Sequence, residues 1–242
     1  MREGESSCHQ WDYATARSYP FYREIVGIYE ESVTAFRTGD TARAEELALV
    51  LLSEARVGGD VGGQVDGLCM LARVALRHGD LAHVAALAAE ARGLARRAGE
   101  HRLERMPIHM QAVAVRMRGD YAEARVLYEE SIELNLQLGE KRMVASEYRN
   151  LAYVELHDGN FERARRLFAS AAELARASRY DALEPYLLLD AAVVALEEGD
   201  RHRAVELAAA VQAAVAAAGQ ILDPDDAAEE ERLRSLLFVV GA

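Results

Sequence analysis

A glycine followed by an acidic or amide residue recurs every 40 residues along most of this 242-residue chain. The five occurrences are Gly39-Asp40, Gly79-Asp80, Gly119-Asp120, Gly159-Asn160 and Gly199-Asp200. Glycine can adopt the left-handed conformation that ends a helix, and the Asp or Asn after it can accept hydrogen bonds from the free N–H groups of the next helix. The period therefore predicts repeated pairs of helices joined by tight turns.

A second glycine series lies halfway between these leading glycines. It consists of Gly59, Gly99, Gly139 and Gly219, and Arg179 stands where one more glycine would fall. Each period is thus divided into two segments, each long enough for a helix of roughly 25 Å at 1.5 Å per residue. Together the two series predict five helical hairpins over residues 20–222, which we call units one to five. In each unit the first helix ends at the leading glycine and the second helix follows it.

Apolar residues between the glycines keep the spacing of one helix face. A leucine stands eight residues after each leading glycine, and a small or apolar residue precedes it by three. Residues three or four apart share a helix face, so this column is expected to face the core. The leucines are Leu47, Leu87, Leu127, Leu167 and Leu207. We expect Leu87, Leu127 and Leu167 to be almost completely buried.

Two units carry a denser pattern of small and aromatic residues. One contains Asn150-Leu151-Ala152, Gly159-Asn160-Phe161, Ala164, Phe168 and Ala171, and the other contains Gln111-Ala112, Gly119-Asp120-Tyr121, Ala124, Tyr128 and Ser131. This pattern resembles the tetratricopeptide repeat (TPR), over roughly residues 20–220. The resemblance implies an all-α fold, a right-handed superhelical solenoid of helical hairpins. The usual repeat has about 34 residues. The longer units here resemble those in the sensor regions of large bacterial transcriptional activators and in peptide-binding regulators.

The N-terminal residues 1–19 fit none of the units and include the aromatic residues Trp11, Tyr13 and Tyr19. So much apolar surface is unfavourable in water. We therefore expect this segment to fold back on the repeats or on a second copy of the protein, and a disordered tail is the alternative.

The C-terminal residues 223–242 also depart from the repeat. They begin with Asp223-Pro224-Asp225-Asp226, which is typical of a helix start, because Pro suits the first turn and acidic residues interact favourably with the helix dipole. Leu233, Leu236 and Leu237 follow on one face of the predicted helix. We expect this helix to cap the open edge of unit five through these three leucines.

The TPR resemblance implies that the first helices line a concave groove. The groove positions carried over from the family lie thirteen, ten, six, three and two residues before each leading glycine, and the positions ten, six and three before it share a helix face by spacing alone. The candidate ligand-binding residues at these positions are Arg73, Arg77, His109, Arg116, Arg149, Tyr153, His157 and Tyr186. Arginine offers a planar fork to carboxylate or phosphate, and tyrosine adds amphipathic contact area. The alternative is that these arginines pair with acids of the same protein or extend over apolar surface.

Composition and motifs exclude several functional classes. A net charge of -12 makes the chain as a whole a poor partner for nucleic acid. No apolar run is long enough to span a membrane, and the opening MREGESSCHQ lacks the apolar core of a secretory signal, so we expect a cytoplasmic protein. No metal-binding, phosphate-binding or nucleophile motif occurs, and we expect neither a cofactor nor a metal.

These observations favour a binding or adaptor module over an enzyme. We expect its groove to bind a peptide or protein segment, with a small anionic ligand and a homodimer as further arrangements. Two alternatives stay open. The chain is a sensor region or partner of a bacterial transcriptional regulator, or it is an all-helical biosynthetic enzyme that uses His109, Tyr153 or His157 as acid or base.

Overall fold

The computed structural model describes the backbone of residues 20–238 and the side chains of residues 25–238, and the aromatic residues Trp11, Tyr13 and Tyr19 lie outside this range. Within it the regular structure consists of helices alone, and the chain is an all-α solenoid. The α-helices are α1 (Pro20–Thr38), α2 (Thr41–Gly58), α3 (Val61–Arg77), α4 (Leu81–Ala98), α5 (Arg105–Met117), α6 (Tyr121–Gln137), α7 (Lys141–His157), α8 (Phe161–Ala177), α9 (Glu184–Glu197), α10 (Arg201–Ala217) and α11 (Pro224–Phe238). Short 3-10 helices at His101–Glu104 and Asp181–Leu183 precede α5 and α9.

The helix boundaries follow the two glycine series. At the start of α2 the Asp40 carboxylate accepts a hydrogen bond from the backbone N–H of Arg43, and the other leading aspartates cap their helices in the same way. Asn160 is the exception, because its side-chain amide donates to Glu155 instead. Arg179 adopts the left-handed φ of +51° that glycine takes in the other units, a conformation that is unfavourable for a residue with a Cβ atom.

The core lies between successive helices, which pack against one another along the whole array. Of the three leucines expected to be almost completely buried, Leu87 is only 8% exposed. The expectation is wrong for Leu127 and Leu167, which are partly buried. The next residues, Tyr128 and Phe168, occupy the interior position at 0% and 5% exposure. These larger rings fill the space between helices and leave each leucine at its margin.

The C-terminal helix α11 packs on unit five, but it does more than cap that edge. Leu233 and Leu237 are each 2% exposed and contact the core of α9 and α10, whereas Leu236 is 47% exposed, so its predicted place in the contact is wrong. The helix also contacts α3 of unit two. This reach follows from the preceding turn, where the backbone N–H of Ile221 donates to the carbonyl of Arg37 in unit one at 2.9 Å. None of the described helices combines the length and apolar character that crossing a membrane requires.

Candidate functional site

The first helices of units two to four direct cationic side chains at the residues that follow Gln220. We call residues 221–238 the C-terminal segment, and we call Arg73, Arg116 and Arg149 the cationic row. Every member of the cationic row contacts a carboxylate of the C-terminal segment, and His157 beside them contacts Glu229 of the same segment. The groove predicted from the sequence is therefore occupied by a later part of the same chain.

Arg116 of α5 lies at the centre of this contact, and its side chain is 2% exposed. Its Nη2 donates to Oδ2 of Asp225 at 2.5 Å, and its Nη1 donates to Oε1 of Glu229 at 3.0 Å. A charged group so far from water needs such partners, because an unpaired buried charge is strongly destabilising.

Arg149 of α7 joins the C-terminal segment to unit five. Its Nε lies 2.8 Å from Oδ2 of Asp190 on α9, and its Nη2 donates to Asp226 at 2.5 Å. Tyr153 donates its hydroxyl proton to Asp190 at 2.9 Å, and the ring of Tyr186 lies 5.2 Å from the Arg149 guanidinium carbon. The two tyrosines predicted to flank a ligand thus surround an arginine of the protein itself.

His157, the last residue of α7, contacts Glu229 through Nε2 at 2.8 Å. Its Nδ1 lies 2.8 Å from Nη1 of Arg232, which can only donate a hydrogen bond. Nδ1 is therefore the acceptor, and Nε2 is the nitrogen that donates to the carboxylate. The imidazole stacks on Tyr121, with ring centroids 5.6 Å apart, which fixes its orientation.

Arg73 and Arg77 of α3 form the more open end of the groove. Their guanidinium carbons lie 4.3 and 4.1 Å from the ring centroid of Phe36. Arg73 donates to Oδ1 of Asp223 at 3.0 Å, and the Asp223 side chain is 33% exposed. Within the described residues, Nε and Nη2 of Arg77 are buried without a hydrogen-bond partner. Burial, partly opposed by Asp223, lowers the pKa of Arg77.

His109 was predicted to line the groove, and the structure gives it an interior partner. Its Nδ1 lies 3.1 Å from the carboxylate of Glu147, which is fully buried and also accepts a hydrogen bond from Ser131 at 2.9 Å. Burial acts to lower the pKa of His109, but Glu147 outweighs this effect and the net shift is upward. His109 thus belongs to a polar network between units three and four.

The pKa values of the two adjacent carboxylates Asp225 and Asp226 are shifted in opposite directions. Burial acts to raise the pKa of Asp225, but Arg116 and other nearby cations outweigh it and hold the pKa below its ordinary value. Burial raises the pKa of Asp226 to about 7, against the influence of Arg149. The contact therefore combines one strongly ionised carboxylate with one that readily keeps a proton.

The arginines of the cationic row were predicted from the sequence, but their acidic partners in the C-terminal segment were not. Asp223, Asp225 and Asp226 were interpreted only as a helix start, and no contact was predicted for Glu229. The available signal was their charge, opposite to that of the groove and concentrated in one short segment. Among the residues that the structure describes, no group of three or more His, Cys, Asp or Glu side chains is arranged to hold a metal ion.

Comparison with known proteins supports the fold. No protein-family model matches the sequence, and no curated protein matches it significantly. The crystal structure of the apo form of RapI is similar with a TM-score of 0.60 and 14% identity, over 90% of this chain and 78% of that chain. The crystal structure of BtubC (BKLC) from P. vanneervenii is similar with a TM-score of 0.54 and 20% identity, over 86% of this chain and 93% of that one. At these identities the likenesses show the helical-repeat fold alone, and they leave the TPR assignment a resemblance.

Proposed function

We propose that this protein is a non-enzymatic binding module whose groove holds a segment of a partner polypeptide. The observation that supports this proposal is that all five units contact one continuous stretch of chain. Unit one contacts the backbone of Ile221, and unit two contacts Asp223. Units three and four contact Asp225 and Asp226, and unit five packs on the leucines of α11. A groove with this geometry suits an extended or helical segment.

The arginines are held in place by the repeats as well as by the C-terminal segment. Phe36 lies under Arg73, and Tyr153 and Tyr186 lie close to Arg149, whose Nε is also fixed by Asp190. Side chains that are already ordered lose less conformational freedom when a ligand arrives. This preorganisation supports a recognition role for the cationic row.

The spread of the cations favours a polypeptide over a small anion. Arg73, Arg116 and Arg149 lie on three different helices, and each contacts a different carboxylate. A single small anion would engage one of these positions, whereas a segment with several acidic residues engages all of them. A sensor role beside a transcriptional regulator uses the same groove and stays a prediction.

The environment of the proposed acid–base residues supports the non-enzymatic assignment. Tyr153 is fully buried, and burial together with Asp190 raises its pKa far above the ordinary value. His109 and His157 are each engaged with a glutamate. These groups serve as contacts within the fold, which is the role that the proposal gives them.

A peptide-display selection on the full chain tests the proposal. Peptides enriched on the wild-type protein are measured against Arg73→Glu, because Arg73 is 16% exposed at the open end and its change spares the deeper ion pairs. The matched control is Arg165→Glu on α8, which is 49% exposed and pairs only with Glu162 among the described residues. We expect binding to survive in the control and to be lost in Arg73→Glu. No enriched peptide, or equal binding to both variants, would contradict a groove function.

A further inference from the structure

We propose that the partner is an acidic segment that replaces residues 223–230, so that the C-terminal segment is a resident competitor for its own groove. This inference rests on the proposed binding function and specifies both the class of partner and the regulation of the site. Two observations support it. The C-terminal segment has an acidic first part and an apolar second part, and its acidic part covers buried arginines of the groove.

The C-terminal segment divides into two parts with different contacts. Its second part is held by apolar packing, since Leu233 and Leu237 are buried in the core of unit five. Arg201 reinforces this part by donating to the carbonyls of Leu236 and Leu237. These contacts anchor residues 233–237 in place.

The first part, residues 223–230, lies in the groove through polar contacts. Its sequence is DPDDAAEE, without a large apolar side chain, and Ala227 and Ala228 are exposed. Its contacts to the repeats are the ion pairs of Asp223, Asp225, Asp226 and Glu229 with the cationic row, together with hydrogen bonds to Glu229 from His157 and to Glu230 from Gln212. This part belongs to the same helix as the leucine anchor, so it leaves the groove by unwinding the first turns of α11 while the anchor stays.

Because the ion pairs are buried, residues 223–230 are replaced most easily by a partner that is also negatively charged. Desolvation of both charges offsets much of the attraction, so a docked acidic part adds little net stability, whereas an unpaired buried arginine is costly. Arg116 and Arg149 are each at most 3% exposed and need carboxylates at all times. A partner that supplies carboxylates at the same places replaces residues 223–230 without leaving either arginine unpaired.

The open end of the groove gives such a partner a place to begin. Arg73 and Arg77 lie side by side on Phe36, and of the carboxylates in the C-terminal segment only Asp223 reaches them. Nε and Nη2 of Arg77 have no hydrogen-bond partner within the described residues. An incoming carboxylate can first displace Asp223 from Arg73, because both side chains of this pair are partly exposed, and the deeper pairs exchange afterwards.

The tether sets how strongly the resident residues compete. Residues 223–230 are held at one end by the contact of Ile221 with Arg37 and at the other by the leucine anchor, so once unwound they stay tethered beside the groove. A short flexible tether gives an intramolecular ligand an effective concentration on the order of millimolar. An external segment of equal intrinsic affinity therefore binds the intact chain weakly at micromolar concentrations. Neutralising the acidic residues of the C-terminal segment should remove this competition, so that an external acidic segment binds the groove with its full affinity.

The experiment uses the full chain and a labelled synthetic peptide of residues 221–238, ILDPDDAAEEERLRSLLF. A matched peptide carries Asn or Gln in place of its acidic residues. The test variant is Asp225→Asn/Asp226→Asn/Glu229→Gln, which neutralises the resident segment and keeps the cationic row. We expect the acidic peptide to bind this variant about ten- to a hundredfold more tightly than it binds the wild type, the effect of one charge-assisted contact. Equal affinity for the two proteins, or equal binding of the neutral peptide, would overturn the proposal.

Two further measurements keep the test decisive if the variant is less stable. Its Tm should fall, since Arg116 loses both of its carboxylate partners there and Arg149 loses one of its two, and the acidic peptide but not the neutral one should raise the Tm again. On the wild-type chain, a saturating concentration of the acidic peptide should speed hydrogen exchange at residues 227–230 and leave residues 233–237 protected. Unchanged exchange at residues 227–230 would overturn the proposal without any variant.

These outcomes separate the two proposals. Displayed peptides that depend on Arg73 but carry no acidic residues would overturn this inference and leave the binding function standing. The absence of any Arg73-dependent peptide would overturn the binding function itself. Light scattering tests a third outcome, a dimer in which two chains exchange their C-terminal segments. Such a dimer would overturn the proposal that the partner is a separate protein, because the groove would then bind a second copy of this chain.

Discussion

Nη2 of Arg149 lies 2.5 Å from Oδ1 of Asp226, which joins unit four to a helix 77 residues further along the chain. The same guanidinium contacts Asp190 of unit five, so one buried cation links three helices. Arg149→Ala leaves two carboxylates without their partner, and we expect the free energy of unfolding to fall by about 3–5 kcal/mol. Arg165→Ala removes only an exposed pair and should change it by less than about 0.5 kcal/mol. Urea denaturation measures both, and similar losses would contradict the structural role of Arg149.

Two of the three leucines of α11, Leu233 and Leu236, give a matched pair of substitutions. Leu233 is 2% exposed in the core of unit five, and Leu236 on the same helix is 47% exposed. We expect Leu233→Ala to lower the free energy of unfolding by about 2–5 kcal/mol, because it removes buried apolar contact and leaves a cavity. Leu236→Ala should cost much less. Thermal or urea unfolding decides, and a larger loss from Leu236→Ala would mean that the helix is rotated.

The raised pKa of Asp226 predicts a pH dependence of stability. Between the ordinary value of 3.8 and about 7, the folded chain holds a proton on Asp226 that the unfolded chain has lost. Stability from this group is therefore full below about pH 4 and is lost as the pH rises to about 7. Asp226→Asn removes the titration. Relative to this variant, the wild type should lose about 1 kcal/mol per pH unit across that range.

Urea denaturation of both proteins at about pH 5 and pH 8 measures this difference. Glu231→Gln is the control, since Glu231 lies on the same helix but is exposed. A difference between wild type and Asp226→Asn that stays constant with pH would show that the buried carboxylate is ionised throughout.

Arg179 offers a stabilising substitution at a turn. Its φ of +51° belongs to the left-handed region, which costs roughly 1–2 kcal/mol for a residue with a Cβ atom. Arg179→Gly relieves this cost, and the greater freedom of glycine in the unfolded chain cancels about 0.4–1 kcal/mol of the gain. We expect a net gain of a few tenths to about 1 kcal/mol, measured by urea denaturation. Gly139→Arg at the equivalent turn, with φ of +72°, should have the opposite sign.

The repeat was predictable from the sequence because its signals are local. Gly and Asp set each turn through their own backbone and side-chain preferences, and even the exception at Arg179 follows the period. The face that each residue presents was less predictable. A spacing of three or four residues does not distinguish Leu127 from the neighbouring Tyr128, and only the space between helices decided in favour of the larger ring.

The contents of the groove were less accessible to sequence reasoning. The cationic row could be found because the TPR resemblance marks several groove positions before each leading glycine, and Arg73, Arg116 and Arg149 occupy three different ones. Its acidic partners depend on where the chain turns after Gly219, which is a tertiary relationship set by the contact of Ile221 with Arg37. The prediction that Asp225 and Asp226 lie at a helix start is correct, but it does not reveal that they contact Arg116 and Arg149.

The pairing of Arg73 with Asp223 joins residues 150 positions apart, and this separation matters for how the protein is made. A ribosome releases unit two long before it has polymerised the acidic residues that cover it. During translation the nascent chain therefore carries uncovered guanidinium groups on an array that is otherwise able to assemble unit by unit. Residues 223–229 are made later and complete the charge balance of the earlier units, so the groove acquires its final electrostatics only after the repeats have been synthesised.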